Sequence, residues 1–321
     1  EMLKKLFLSS LVILFILLSI ALYRTAIHTV SVKGTIAGEV IAIDEPRAIQ
    51  NLSASIRFKT ISYQDKEKFP FEEFNNFIKW AAATYPEFHQ AMEIVQLEHS
   101  LLFKWQGSDS TLAPILFEGH HDVVPIIPGT ENLWQENPFA GAISNNRIWG
   151  RGALDDKSGV VGLMEAATYL IKKNFKPKRT VYFSFGHDEE VGGSGAALIT
   201  AKLKEEGVQL HWSLGEGSFV NKGFFPGVDK FVAPINVAEK GSANLMIVAK
   251  AKGGHSSTPP QRTAVTILAE ALVKLEKEPL PGSLEGLSAA MFNEVSKHMP
   301  FGYRFLFANR WLFGGVLDSV L

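Results

Sequence analysis

Four short stretches of the sequence carry residues that could do chemistry together. FSFGHDEEVGGSGA places Glu189 and Glu190 side by side between an aromatic, β-branched run and a glycine cluster. Adjacent like charges at the end of a buried strand repel in a low dielectric, so the pair calls for a positive neighbour. FEGHHDVVP sets His120 and Asp122 on either side of His121, just past an apolar strand. In extended backbone these two share one face, a spacing at which a carboxylate can orient a metal-binding imidazole. IWGRGALDDKSG brings Asp155 and Asp156 out of a glycine-rich turn directly before Lys157 and a helix. A helix cap accounts for one of these aspartates and leaves the other unexplained. SLGEGSF puts Glu216 between glycines at the end of a further strand. Any one of these features alone is ordinarily a solvated or structural one, but their recurrence at neighbouring strand ends favours a two-metal site. The chain has no cysteine, so a metal must be held by His, Asp and Glu. A dinucleotide site is excluded by spacing, because Gly192, Gly193 and Gly195 do not form G-x-G-x-x-G.

The elements that must position these residues alternate along the chain. LLFKWQG and APILFEG read as strands, VVGLMEAATYLIKK as a helix, TVYFSFG as a buried strand, GAALITAKLKEE as a helix and LHWSLGEG as a strand. That order predicts an α/β, doubly wound catalytic domain with helices on both faces and its site at the strand ends. From about Glu239 the pattern changes. SANLMIVAKAKG alternates like a half-exposed strand, and TAVTILAEALVKLEKE is an amphipathic helix ended by Pro279 and Pro281, which together predict a smaller α+β domain. Ahead of all this, Leu6 to Leu22 carries no charge, follows Lys4 and Lys5 and is closed by Tyr23 and Arg24. The run is nearly long enough to span about 30 Å of hydrocarbon and exceeds the usual signal-peptide core, so a membrane anchor is expected. The lysines predict the N-terminus in the cytoplasm and the rest extracytoplasmic or lumenal, and cleavage near Arg24 would instead leave a secreted product. The expected division is an anchor over 1–24, a catalytic domain over 25–238 and a lid or dimerisation domain over 239–321. With 46% hydrophobic residues and a formal net charge of -1, the 321-residue chain has a sizeable core and no basic footprint for nucleic acid.

GHHDVVP, WGRGALDDKSG, GHDEEVGGSGA, GEG and EKGSANLMIVAKAKGGHSSTPP resemble, in order, the motifs of the co-catalytic di-zinc exopeptidases and aminoacylases. The likeness is greatest to the carboxypeptidase S and N-acyl-amino-acid hydrolase branch and runs from about Asn51 onward. The resemblance implies that His120 and Glu216 hold one zinc, Asp155 bridges, Glu190 holds the other zinc and Glu189 is the general base. It further implies that Asp122 orients His120 and that His255 reaches the substrate from the second domain, often across a homodimer. The implied reaction is hydrolysis of the amide bond of an N-acyl amino acid or short peptide with a free carboxylate. Cobalt or manganese would suit the same ligands.

The chain departs from that branch in three ways. His121 fills a position where a smaller or apolar residue is common, and reads as a bystander. Gly215 stands where Asp often precedes the Glu, which leaves Glu216 as the ligand. Relatives close the catalytic domain with a later segment that supplies a final His ligand, whereas this chain stops at Leu321 inside the second domain, so a truncated chain is expected. His298 lies too early to be that ligand and reads as a solvated helix residue. The alternative reading is a non-catalytic, membrane-anchored binding fragment that has lost its second metal.

Overall fold

The computed structural model describes residues 1–30, 41–239, 241–280 and 284–320. Lys240, in one of the quoted motifs, and Pro281, one of the two expected helix stops, lie outside the described residues. The chain forms two compact units, one of Gly38–Glu216 and one of Glu1–Ala37 with Gly217–Leu321. Helix α1 (Met2–Ile27) contains the apolar run and is the one helix among the described residues long and apolar enough to cross a membrane.

The Gly38–Glu216 unit begins with α2 (Glu45–Ile56), α3 (Phe71–Thr84) and α4 (Pro86–Gln90). Strands β1 (Glu93–Leu97), β2 (Ser100–Trp105) and β3 (Ile115–His120) follow, then the small ribbon β4 (Ala142–Ser144) with β5 (Arg147–Trp149). The remaining elements are α5 (Lys157–Lys172), β6 (Val181–Gly186), α6 (Ser194–Glu205) and β7 (Trp212–Leu214). The main sheet has the order β1-β2-β6-β3-β7. It is parallel across β6, β3 and β7 and antiparallel across β1, β2 and β6, a mixed sheet within the expected α/β class.

Strand alternation builds the two faces. Leu101, Phe103 and Trp105 of β2 lie on the same side as Val181, Phe183 and Phe185 of β6, and both sets pack against α5 and α4 residues such as Val160, Met164 and Phe88. Leu102, Leu116 and Tyr182 point the other way, onto Ile199 and Leu203 of α6. Both faces are therefore covered by helix, as expected for the α/β class. Because β3 runs parallel to both β6 and β7, the three strands deliver their C-terminal ends to one edge, with β3 in the middle.

The other unit contains β8 (Asn221–Lys222), β9 (Phe231–Val232), α7 (Ala264–Lys277), α8 (Gly286–Ser296), α9 (Phe301–Ala308) and α10 (Arg310–Val320). Thr263 caps α7 by accepting from Thr266 N at 3.2 Å, and Thr266 Oγ1 accepts from Thr263 N at 3.4 Å. The strand expected over SANLMIVAKAKG is not formed. Leu245 and Met246 are exposed there, since alternation makes a strand only where a partner edge and a packing face receive it. Phe225, Val228, Leu284, Met299, Phe307 and Leu317 form this unit's own small core. The last turns of α1 are fastened to it. Asn309 Nδ2 donates to Ala21 O at 3.0 Å and to Thr25 Oγ1 at 3.1 Å, and Arg24 Nε donates to Ala308 O at 3.0 Å.

Candidate metal centre

His120 is the last residue of the central strand β3 and is only 2% exposed. Its two ring nitrogens meet different surroundings. Nδ1 lies 3.2 Å from Asp122 Oδ1, whereas Nε2 faces Asp155 Oδ1 at 3.0 Å, Glu216 Oε1 at 3.3 Å and Glu189 Oε2 at 3.9 Å. Glu190 completes the ring, since ligand atoms of His120, Asp155 and Glu190 all lie within 4.8 Å of one another. The sheet order explains the convergence. Glu189 and Glu190 follow β6 on one flank of β3, Glu216 follows β7 on the other, and Asp155 comes from the turn into α5, which packs on the sheet face.

The supports beneath this ring are carboxylates that grip the main chain. Asp122, fully buried, accepts from Glu189 N at 3.1 Å and Glu190 N at 3.2 Å, so the residue beside His120 also fixes the turn carrying both glutamates. Asp188 holds the far side of that turn by accepting from Ser194 N at 3.0 Å and Gly195 N at 2.8 Å at the start of α6. Asp156 is drawn in as well. Its Oδ2 accepts from His120 N at 3.3 Å, and Gly119 permits this approach, because a Cβ there would stand 2.9 Å from that oxygen. Ligand atoms of His120, Asp156 and Glu216 also lie within 4.8 Å of one another. The peptide bond joining Asp155 to Asp156 is cis.

Lys157 is the cluster's most unexpected neighbour, with 0% exposure for an ammonium group. Its Nζ donates to Ser55 O at 3.1 Å and Phe58 O at 2.6 Å and stands 5.6 Å from the Phe77 ring centroid. Burial lowers its pKa to about 7. Thr60, a few residues further along the same segment, donates to His121 O and accepts from Val123 N at 2.9 Å. The 55–60 segment therefore ties the Asp155 loop to the His120 loop. His121 is fully buried and stacks on Phe77 at 4.9 Å with neither ring nitrogen hydrogen-bonded, and burial lowers it to about 3. It is a neutral packing residue, as the sequence suggested.

The carboxylates are too crowded to be comfortable alone. Burial raises Glu216 to about 7, with the charges of Asp156, Asp155 and Glu189 adding to it and His120 opposing. Burial likewise raises Asp156 to about 6 and pushes Glu190 up. Burial disfavours a charged His120, yet the hydrogen bond and charge of Asp122 and the charges of Glu216 and Asp156 outweigh it and raise the imidazole to about 10. With Nδ1–H directed at Asp122, the remaining Nε2 lone pair would point into carboxylate oxygens unless a proton or cation sat between them. One imidazole and several carboxylates make a donor set that fits zinc, cobalt or manganese.

The structure thus brings His120, Asp155, Glu189, Glu190 and Glu216 together, with Asp122 beneath them. His255 belongs to the other unit, where it is exposed with Nδ1 2.8 Å from Ser257 Oγ. Sequence reasoning missed the burial of Lys157, the second grip by Asp188 and the membership of Asp156. The unexplained second aspartate of ALDDKSG was the signal for the last.

Residues 116–309 match the family described as Peptidase family M20/M25/M40. The chain is 37% identical over 278 residues to a "Probable carboxypeptidase S-like 2" of Dictyostelium discoideum, covering 85% of this chain and 53% of that protein. It is 34% identical over 325 residues to an "N-fatty-acyl-amino acid synthase/hydrolase PM20D1" of Xenopus tropicalis, covering 98% and 62%. It is 35% identical over 254 residues to a "Carboxypeptidase S" of Saccharomyces cerevisiae, covering 74% and 43%. The chain spans about half the length of the curated relatives it matches. A cluster of His, Asp and Glu at the ends of parallel strands, inside a match of this extent, assigns the chain to the M20/M25/M40 peptidase family.

Proposed function

We propose that this chain carries the metal centre of a membrane-anchored di-zinc amidohydrolase acting on N-acyl amino acids or short peptides with a free C-terminal carboxylate. The observation that carries the reading is His120 Nε2, turned toward three carboxylates while Asp122 occupies Nδ1. The names of the relatives support the substrate class, and α1 supports the anchor. In this reading His120 and Glu216 would hold one ion, Glu190 would hold the other and Asp155 would serve both. Asp156 serves as a main-chain anchor, since its carboxylate is engaged by His120 N and lies beneath Gly119. Bound zinc would polarise the substrate carbonyl and lower the pKa of water.

The chain's own residues do the rest. Glu189 is not needed as a ligand, is half exposed and stands at the edge of the ring, so it is placed to take a proton from water and pass it to the leaving nitrogen. Asp122 holds the Glu189 main chain, which fixes where that side chain leaves the turn beside His120. His255, from the other unit, is assigned to the substrate. Glu189→Gln should retain metal and lose about 10²–10⁴-fold in kcat, because it removes the proton shuttle and no ligand. Hydrolysis of an N-acyl amino acid at the unmodified rate, with metal content unchanged, would take the base role away from Glu189.

A further inference from the structure

We propose that α9 and α10 form a platform seated in the lipid headgroup region beside α1, so that the chain meets the bilayer through an embedded helical surface as well as a single span. The proposal rests on reading α1 as a membrane anchor and adds a second contact to it. Depth is set by the fastening of α1. Its apolar run ends at Leu22, and Ala21, Arg24 and Thr25, on either side of that end, hydrogen-bond to Ala308 and Asn309, while the C-cap His28 bonds Ser296 of α8 at 2.9 Å. Asn309, the residue between α9 and α10, is fully buried against Ala21 and Thr25. The junction of the two helices therefore lies level with the end of the span, where hydrocarbon gives way to headgroups.

The chemistry of the two helices suits that depth. Six of the thirteen residues from Phe301 to Phe313 are aromatic and two, Arg304 and Arg310, are basic, while the one acidic residue of the two helices is Asp318 near the end of α10. Aromatic side chains together with arginines are a composition favoured at the membrane boundary. Phe301, Trp311, Leu312 and Val316 are 57%, 51%, 49% and 57% exposed, although the unit has a core in which Phe307 and Leu317 of the same helices are buried. These helices thus bury one face and present a second apolar face. At the junction the two N–H groups of the Asn309 amide are shared among Ala21 O, Thr25 Oγ1 and Phe305 O, and the Arg310 guanidinium donates to Leu284 O.

The absence of cysteine makes a direct test possible, because each introduced cysteine is the sole labelling site. Phe301→Cys, Leu312→Cys, Val265→Cys and Leu14→Cys would be made in the full chain, labelled with an environment-sensitive fluorophore and reconstituted in phosphatidylcholine vesicles. Val265, 78% exposed on α7 and outside the proposed platform, is the comparison site, and Leu14 reports on the span. Labels at 301 and 312 should be quenched several-fold more by shallow spin-labelled lipid than the label at 265, and less by aqueous iodide. Iodide quenching equal to that at 265 overturns the platform, and so does protection from both quenchers, which would mean that protein covers the face. A label at 14 that lipid fails to quench overturns the anchor itself, a result separable from failure at 301 and 312 alone.

Discussion

Asp122 touches three other members of the cluster, through His120 Nδ1 and through the main-chain N–H groups of Glu189 and Glu190. Removing it should therefore loosen a proposed ligand and the proposed base together. Asp122→Ala is expected to lower metal affinity about 10–100-fold, read by competition with a chromogenic chelator, and an effect below twofold would make its orienting role negligible. A pH effect belongs to the same residues. Glu216 has a folded-state pKa raised to about 7, so its contribution to stability is full below its ordinary value and is lost as pH rises through 7. A bound cation removes that loss. The gain in Tm on adding zinc to chelated protein should be larger at pH 7.5 than at pH 5, and an equal gain at both would contradict the carboxylate crowding. His120, Glu190 and Glu216 were legible in the sequence because such residue types recur at strand ends. Asp156 was not, because a helix-capping aspartate and one that reaches across to His120 N look alike until the backbone is folded.

Among the elements, the segment after α2 does more than connect. Lys157 at the start of α5 donates to Ser55 O and Phe58 O, and Thr60 bonds the loop that follows His120. Lys157→Met would keep the aliphatic bulk and strand the carbonyls, costing about 1–3 kcal/mol for each that water cannot reach. Chemical denaturation should show that loss, and an unchanged midpoint would mean that the lysine is dispensable. The helices and strands of the Gly38–Glu216 unit could be read in advance because β2 and β6 alternate cleanly between faces and α5 and α6 cover them. The antiparallel β1–β2 edge could not, since a short run such as EIVQL has no marker of strand direction. SANLMIVAKAKG shows the reverse error, a period of two with no sheet edge to receive it. A buried lysine is equally hard to anticipate, since the residue type ordinarily belongs to solvent.

At the scale of the molecule, His120, Asp155, Glu189, Glu190 and Glu216 all fall within Gly38–Glu216, and His255 falls within the other unit. His255→Ala should therefore leave zinc content unchanged while raising KM or lowering kcat toward an N-acyl amino acid. Loss of metal in that variant would place the histidine among the ligands instead. The fold class was legible at this scale because the strand and helix order of one unit declares it, and the fastening of α1 by Asn309 was not, because the two residues are 288 positions apart in sequence. The partition into units has a further consequence for specificity. On the proposed roles, substitutions around His255 would change what is bound while leaving the proposed metal ligands, all within Gly38–Glu216, untouched.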